Sequence, residues 1–256
     1  METTRASVTR VHNAMLGGTD NFAADRAVRD HLLTIDPGFP NAARDARAFL
    51  FRTVRYLTSA GITQILDCGL RLPIRENSHT VAPGAEVVYA SVDPIVLAHA
   101  REGMPANAHV TEANISRADR VLSDPTVRGH LDFSKPMGLL HVLTLHHVPD
   151  HDDPWLTMAQ YIEALAPGSY VVLAHMRDPG PEHELAATIK RVGTAYREGI
   201  GTGWPRSTER ILDLMPGLVL LGPGLVPVGN WRPDGPQTSN PGPMQRLFVG
   251  AVARKP

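Results

Sequence analysis

Cysteine is all but missing from this chain. Cys68 stands alone among 256 residues, which excludes an internal disulfide framework and makes the reducing cytoplasm the expected compartment. Aromatic residues make up only 5% of the sequence, too few for the stacking platforms that hold single-stranded nucleic acid. Neither sign of charge is in excess: 25 Lys plus Arg face 26 Asp plus Glu, with no dense basic stretch to neutralise a phosphate backbone. A nucleic-acid partner is therefore not expected, and a small molecule is. No apolar run approaches the ~20 residues that a membrane helix requires. METTRASVTR carries no apolar stretch behind its charges, so no secretory signal is expected either. The 12 histidines show no H-E-x-x-H spacing, so no metal is expected, and their plainest uses are surface positions and helix caps. A Ser-His-Asp order on a nucleophile elbow is missing too, as are internal repeats and an interdomain linker.

What is present reads as one α/β domain over residues 1–256, with a helical segment at 1–60 and an α/β core at 61–256. A hydrophobic share of 43% is enough for one sizeable core. AADRAVRDHLLTI sets Val28, Leu32 and Ile35 at helix-face spacing, and ARDARAFLFRTVRYLTSA does the same with Phe49, Leu50, Val54 and Leu57. Pro37, Gly38 and Pro40 end the first helix and turn the chain. From residue 62, ITQILDCG, EVVYASV, AHVTEANI, MGLLHVLTL and SYVVLAHM have the length and composition of buried strands, and helical stretches separate most of them. That alternation predicts right-handed crossovers and a parallel sheet covered on both faces. Between LVLLGPGLVPVG and RLFVGAVARK there is no room for a crossover helix, so two neighbouring antiparallel strands are expected, joined by a surface loop at NWRPDGPQTSNPGP.

An open parallel sheet binds ligands at the carboxyl ends of its strands, where the strand order reverses. The first strand's exit, Asp67 to Pro73, falls at that place. A nucleotide loop needs glycine where a Cβ would intrude on the ligand, and Gly69 meets that need. By itself, D-x-G leaves open both a cofactor loop and a plain strand-to-helix turn.

Longer blocks carry a resemblance. RVHNAMLGGTDNFAADRAV, ILDCGLRLP, VDPIVLAHAR, LHHVPDHDDP, LAPGSYVVLAH, GLVPVGNWRPD and VGAVARKP together resemble, essentially from end to end, the actinobacterial S-adenosyl methyltransferase family. The resemblance implies a Rossmann-like class I methyltransferase fold: a mostly parallel seven-stranded sheet with an antiparallel last strand, and an N-terminal helical lid over S-adenosylmethionine (SAM). It places cofactor contacts at Gly18, Asp67, Gly69, Arg71, Ser91, Asp93, Asn114 and Ile115. Contacts on the acceptor side fall at His12, Met15, Phe22, His141 and Trp231.

Three positions depart from the family pattern. D-x-G-x-G-x-P has Arg71 at its second glycine, a long cation beside the amino-acid part of SAM that must clash or turn outward. The acid that ends the second strand is Ser91, with Asp93 on the same strand face as a partial substitute. The third-strand Asp is Asn114, whose amide can still accept a hydrogen bond. Losing one charge-assisted bond costs roughly 1.5 to 3 kcal/mol, so weakened or lost SAM binding is expected.

Three histidines cluster near the fourth strand's exit. His146 matches a frequent family histidine, while His141 and His147 are additions. An imidazole titrates near neutrality, so His146, His147 and His175 at the end of the fifth strand are the acid/base candidates. A structural role suits each equally. Cys68 reads as a small packing residue. The leading expectation is a methyltransferase-fold enzyme repurposed for cyclisation, isomerisation or elimination on a natural-product-type substrate. The alternative is an active SAM-dependent methyltransferase acting on an oxygen, nitrogen or carbon acceptor. A third is a catalytically silent binding protein, marked by a pocket filled with its own side chains. The oligomeric state is left open, a homodimer included.

Overall fold

The computed structural model describes residues 4–236 and 240–256. Five apolar runs become parallel strands: β1 (Gln64–Asp67), β2 (Glu86–Ser91), β3 (Ala108–Glu112), β4 (Gly138–Val142) and β5 (Tyr170–Met176). Every residue of β1 and β4 is buried, as expected for central strands covered on both faces. The order β3-β2-β1-β4-β5 puts β1 beside β4, so the winding reverses between them and a crevice opens at their carboxyl ends.

The sheet ends antiparallel. Strands β6 (Val219–Leu220) and β7 (Val226–Pro227) both pair with one side of β8 (Phe248–Arg254), whose other side runs antiparallel to β5. Among the described residues the sheet has eight strands where seven were expected, because the edge strand is broken at Gly222-Pro223-Gly224. Proline has no N–H to donate there, and Gly224 takes a φ of +87°.

Helices α1 (Val8–Met15), α2 (Ala23–Ile35) and α3 (Phe39–Ser59) precede the sheet. Helix α2 spans the expected residues. Helix α3 starts earlier than expected and takes Pro40 into its first turn, where a missing N–H costs nothing. Its buried face sets Phe49, Leu50, Val54 and Leu57 against the sheet. Two strand glycines permit the approach: a Cβ on Gly250 would lie 2.7 Å from the Phe49 ring, and one on Gly138 would lie 2.9 Å from Leu57 Cδ1.

The crossovers and later connections contain α4 (Ser78–Val81), α5 (Pro94–Gly103), α6 (Ala118–Ser123), α7 (Pro125–His130), α8 (Pro154–Ala164), α9 (Ala186–Ile200), α10 (Thr208–Leu212) and α11 (Pro243–Leu247). The strand expected to run to Leu145 stops at Val142. Leu143 takes a φ of +55°, and Leu145–His147 coils into a single 3₁₀ turn. His146 and His147 therefore leave the sheet. Of the loop expected over 230–243, residues 237–239 lie outside the described residues, and the chain is helical again from Pro243. Among the described residues, no helix is long and apolar enough to cross a membrane.

Candidate active site

The loop after β1 is built around buried charge. Asp67 is fully buried, and its carboxylate accepts a short hydrogen bond from Ser78 Oγ, while Oδ1 has no partner. Burial pushes its pKa up, and the nearby Arg71 cation opposes that shift. Arg71 neither clashes nor turns outward, as the sequence led one to expect. Its guanidinium folds back into the loop, where Nη1 donates to the Gly69 carbonyl at 3.1 Å and Nη2 donates to the Val142 carbonyl. The Asn77 side chain fixes the turn by donating to the carbonyls of Arg71 and Ile74, each at 2.9 Å. Gly69 is kept open by need, since a Cβ there would approach Thr144 Cγ2 to 3.1 Å. Cys68 is buried beside it with its thiol pKa raised by desolvation, which leaves it unreactive.

At the end of β2, Ser91 Oγ accepts from the Asp93 N–H at 3.2 Å. Asp93 lines the crevice, but its carboxylate is engaged. Oδ1 caps α5 by accepting from Ile95 N–H at 2.9 Å, and Oδ2 accepts from Ser7 Oγ at 2.5 Å. Ser7 in turn caps α1, and the buried pair Arg10 Nε to Asp25 Oδ2, 3.0 Å apart, continues the latch between α1 and α2. The sequence reading missed Ser7, Arg10 and Asp25, because nothing local marks an ion pair that forms only when two helices dock. At the end of β3, Asn114 Oδ1 accepts from Ser116 N–H and Oγ, both at 3.0 Å. The oxygen expected to accept a ligand's bond is thus occupied within its own turn.

Two cavities open beyond these strand ends. The larger, about 820 Å³, is lined by Gly69, Ser91, Asp93, Asn114 and Ile115 from the core and by residues 4–10 at the N-terminus. Arg197 and Glu198 of α9 complete its rim; an amphipathic cover helix gave no sequence signal of that role. The smaller, about 60 Å³, is lined by His12, Met15, Arg71, His146, His147 and Tyr196, among others. Gly69, Thr144 and His147 border both cavities. His147 Nδ1 lies 2.8 Å from Thr202 Oγ1, and its ring centroid is 4.3 Å from that of His146. His12 Nε2 and His146 Nδ1 are buried without a partner.

These imidazoles are not poised near neutrality. Burial first, and then the Arg71 charge, lower His12 and His147 to about 3. His146 is driven well below its ordinary value by burial and by His147. At pH 7 all three are neutral.

Other expected residues stand elsewhere. His175 lines neither cavity, and both its nitrogens are used: Nδ1 lies 2.7 Å from the Met176 carbonyl, and Nε2 accepts from Arg206 Nη1 at 3.0 Å. The same guanidinium holds the β4 exit by donating to the Leu145 and Val148 carbonyls. His141, on β4, packs against Tyr161 on the α8 face of the sheet rather than facing the cavities. Trp231 completes the core edge-on to Phe49 and Tyr56, each with ring centroids at 5.8 Å, because so large an apolar surface is best buried. Phe22 lines a separate hollow with His99, and Gly18 makes a tight turn over Asn13. Met15 and His12 border the small cavity.

The profile of a family described as S-adenosyl methyltransferase matches residues 1–256. This chain belongs to that family. The crystal structure of a methyltransferase candidate from Thermobifida fusca YX is 36% identical, with 99% of this chain and 96% of that one covered, at a TM-score of 0.92. A DUF574 family protein from Streptomyces avermitilis MA-4680 is 29% identical over 100% and 99% of the two chains, at 0.91. The N-methyltransferase NodS from Bradyrhizobium japonicum WM9, solved with S-adenosyl-L-homocysteine, is 14% identical over 96% and 99%, at 0.54, and shares the fold alone. No curated protein matches.

Membership of this methyltransferase family implies SAM binding, and the larger cavity fits it in place and size. A volume of about 820 Å³ lies within the roughly 300–1,000 Å³ of small-molecule sites. Gly69 leaves the backbone approachable, and Ser91 and Asn114 offer neutral polar groups at the ends of β2 and β3.

Proposed function

We propose that this chain is an active SAM-dependent methyltransferase of a small-molecule acceptor, with the cofactor in the larger cavity and the acceptor entering through the same cavity, its reacting atom at the mouth of the histidine-lined recess. The observation that carries this reading is the junction of the two cavities at Gly69, Thr144 and His147, where two ligands would meet. Bound SAM supplies an electrophilic methyl group. The Ser91 hydroxyl and the Asn114 Nδ2 amide would donate to the nucleoside, the Asn114 oxygen being held by Ser116, and residues 4–10 would serve as the lid that excludes water.

His147 is neutral, and in the tautomer whose Nδ1–H donates to Thr202 Oγ1, Nε2 would accept a hydrogen bond from an acceptor O–H or N–H. With a pKa of about 3 this imidazole orients the proton rather than storing it, because burial first and then the Arg71 charge disfavour an imidazolium. The same charge favours an acceptor atom that has given its proton to solvent water before the methyl is transferred. Calorimetric titration with SAM and S-adenosylhomocysteine tests the reading. Micromolar binding of both is expected, and no binding at millimolar ligand overturns it.

A second reading keeps the fold and replaces methyl transfer with cyclisation, isomerisation or elimination, with SAM binding weakened. One observation favours it: Arg71 already holds the Gly69 and Val142 carbonyls, which are then unavailable to a ligand. Absent binding that returns in Arg71→Gly with Ser91→Asp would support this reading over the first. A silent binding protein is the least favoured, since the larger cavity is not filled by the chain's own side chains.

A further inference from the structure

The amino ends of the strands carry a group that neither methyl transfer nor SAM binding uses. Glu86 opens β2, His109 lies in β3, and His130 closes α7. In the parallel register His109 stands opposite Val88, two residues along from Glu86, so both project from the same face of the sheet. That is the face α7 covers, where its Val127 packs in one cluster with Val88, and it brings His130 alongside. The two imidazoles stack with ring centroids 3.4 Å apart at 16°. His109 Nε2 lies 2.5 Å and His130 Nδ1 2.9 Å from the same carboxylate oxygen, Glu86 Oε1. Despite that proximity, His109 Nε2 is buried without an aligned hydrogen bond. All three donor atoms lie within 4.8 Å of one another.

We propose that Glu86, His109 and His130 form a binding site for a divalent transition-metal ion, best suited to zinc. Two imidazole nitrogens and one carboxylate oxygen are borderline donors of the kind zinc takes, and three protein ligands leave a fourth tetrahedral position to water. Metal–ligand distances near 2.05 Å set tetrahedral ligand atoms about 3.3 Å apart. Opening the two contacts to Glu86 therefore requires less than about 1 Å of movement by its carboxylate. That side chain is 33% exposed and free to make it. The ion would replace two misaligned contacts to one oxygen with three directed bonds, and it would tie β2, β3 and α7 together.

Glu86 and Ser91 stand at opposite ends of β2, about 17 Å apart at the usual strand rise. The ion is thus too distant to act on a ligand in the larger cavity, and its role is structural. The site is independent of the proposed methyl transfer.

The test uses the full chain without a purification tag, stripped with a chelator and titrated calorimetrically with zinc chloride alone. One ion per chain is expected, with a Kd below about 100 µM. His109→Ala and His130→Ala should each weaken binding at least about 10-fold, and Glu86→Gln should do the same. His151→Ala, which removes an exposed histidine elsewhere, should leave the isotherm unchanged. Circular dichroism of each variant separates lost binding from lost folding. As a readout that needs no mutation, bound zinc should raise the thermal midpoint of the native chain. A native Kd above about 100 µM, or an isotherm that the three ligand variants leave unchanged, overturns the proposal.

Discussion

The two ends of the sheet use the same residue type in opposite ways. At the carboxyl ends, His12, His146 and His147 are packed around Arg71 and held neutral by burial and by that cation. At the amino ends, His109 and His130 lie partly open to water around a carboxylate. Imidazole chemistry is set by solvation and neighbouring charge, so one end offers orientation of a ligand and the other offers lone pairs to a cation. Charge follows the same division. Arg10 and Asp25, near the large cavity, have side chains only 4% and 0% exposed, whereas the acid at the amino end is free to move.

The largest test of this contrast is a matched pair of carboxylate removals. Asp25→Ala leaves Arg10 buried beside only the more distant Asp93, and a loss of about 3–5 kcal/mol in urea denaturation is expected. Glu86→Gln in metal-free protein should cost no more than about 1 kcal/mol, as partly exposed pairs do. Equal costs would erase the distinction.

Acid titration probes the buried histidines next. His141 and His175 are fully buried and lowered to about 3, so the folded chain binds fewer protons than the unfolded chain between about pH 6.5 and 3. Their contribution is complete above pH 6.5 and is lost as pH falls through that window, at a slope approaching roughly 1.4 kcal/mol per unit for each histidine. His175→Gln should flatten the slope of denaturation free energy against pH by one group's share. An unchanged slope would contradict the assignment.

The smallest expected effect is at Arg71. In Arg71→Met the His147 midpoint, followed by NMR, should rise yet stay below 6.5, because burial is the larger cause of its depression. A midpoint that does not move would mean that the guanidinium is too well compensated by Asp67 to be felt across the recess.

Much of the fold was legible in the sequence because strand and helix periodicities are local. The pattern of Val28, Leu32 and Ile35 marked α2, and the Pro/Gly-rich connection foretold the antiparallel end. The break of the edge strand at Pro223 was written in the same residues but went unread as a break. The site was less legible. Gly69, Ser91 and Asn114, taken from a strand exit and from the family resemblance, line the larger cavity because a doubly wound sheet fixes where its strands end. Trp231, His141 and His175 were misplaced for a shared reason: nearness to a motif or a strand end does not say which way a side chain faces.

The order of apolar runs, the glycine at position 69 and the family blocks determined by themselves a methyltransferase architecture and the strand ends that border its cavity, because each depends on residues close together in the chain. Tertiary structure alone decided that Arg71 turns inward onto two carbonyls, and that the histidines beside it lose their charge. It also gathered Glu86, His109 and His130 from three separate elements, with no sequence spacing to announce them. Burial and distance between remote residues govern all three outcomes, and neither is set until the sheet and its covering helices have packed.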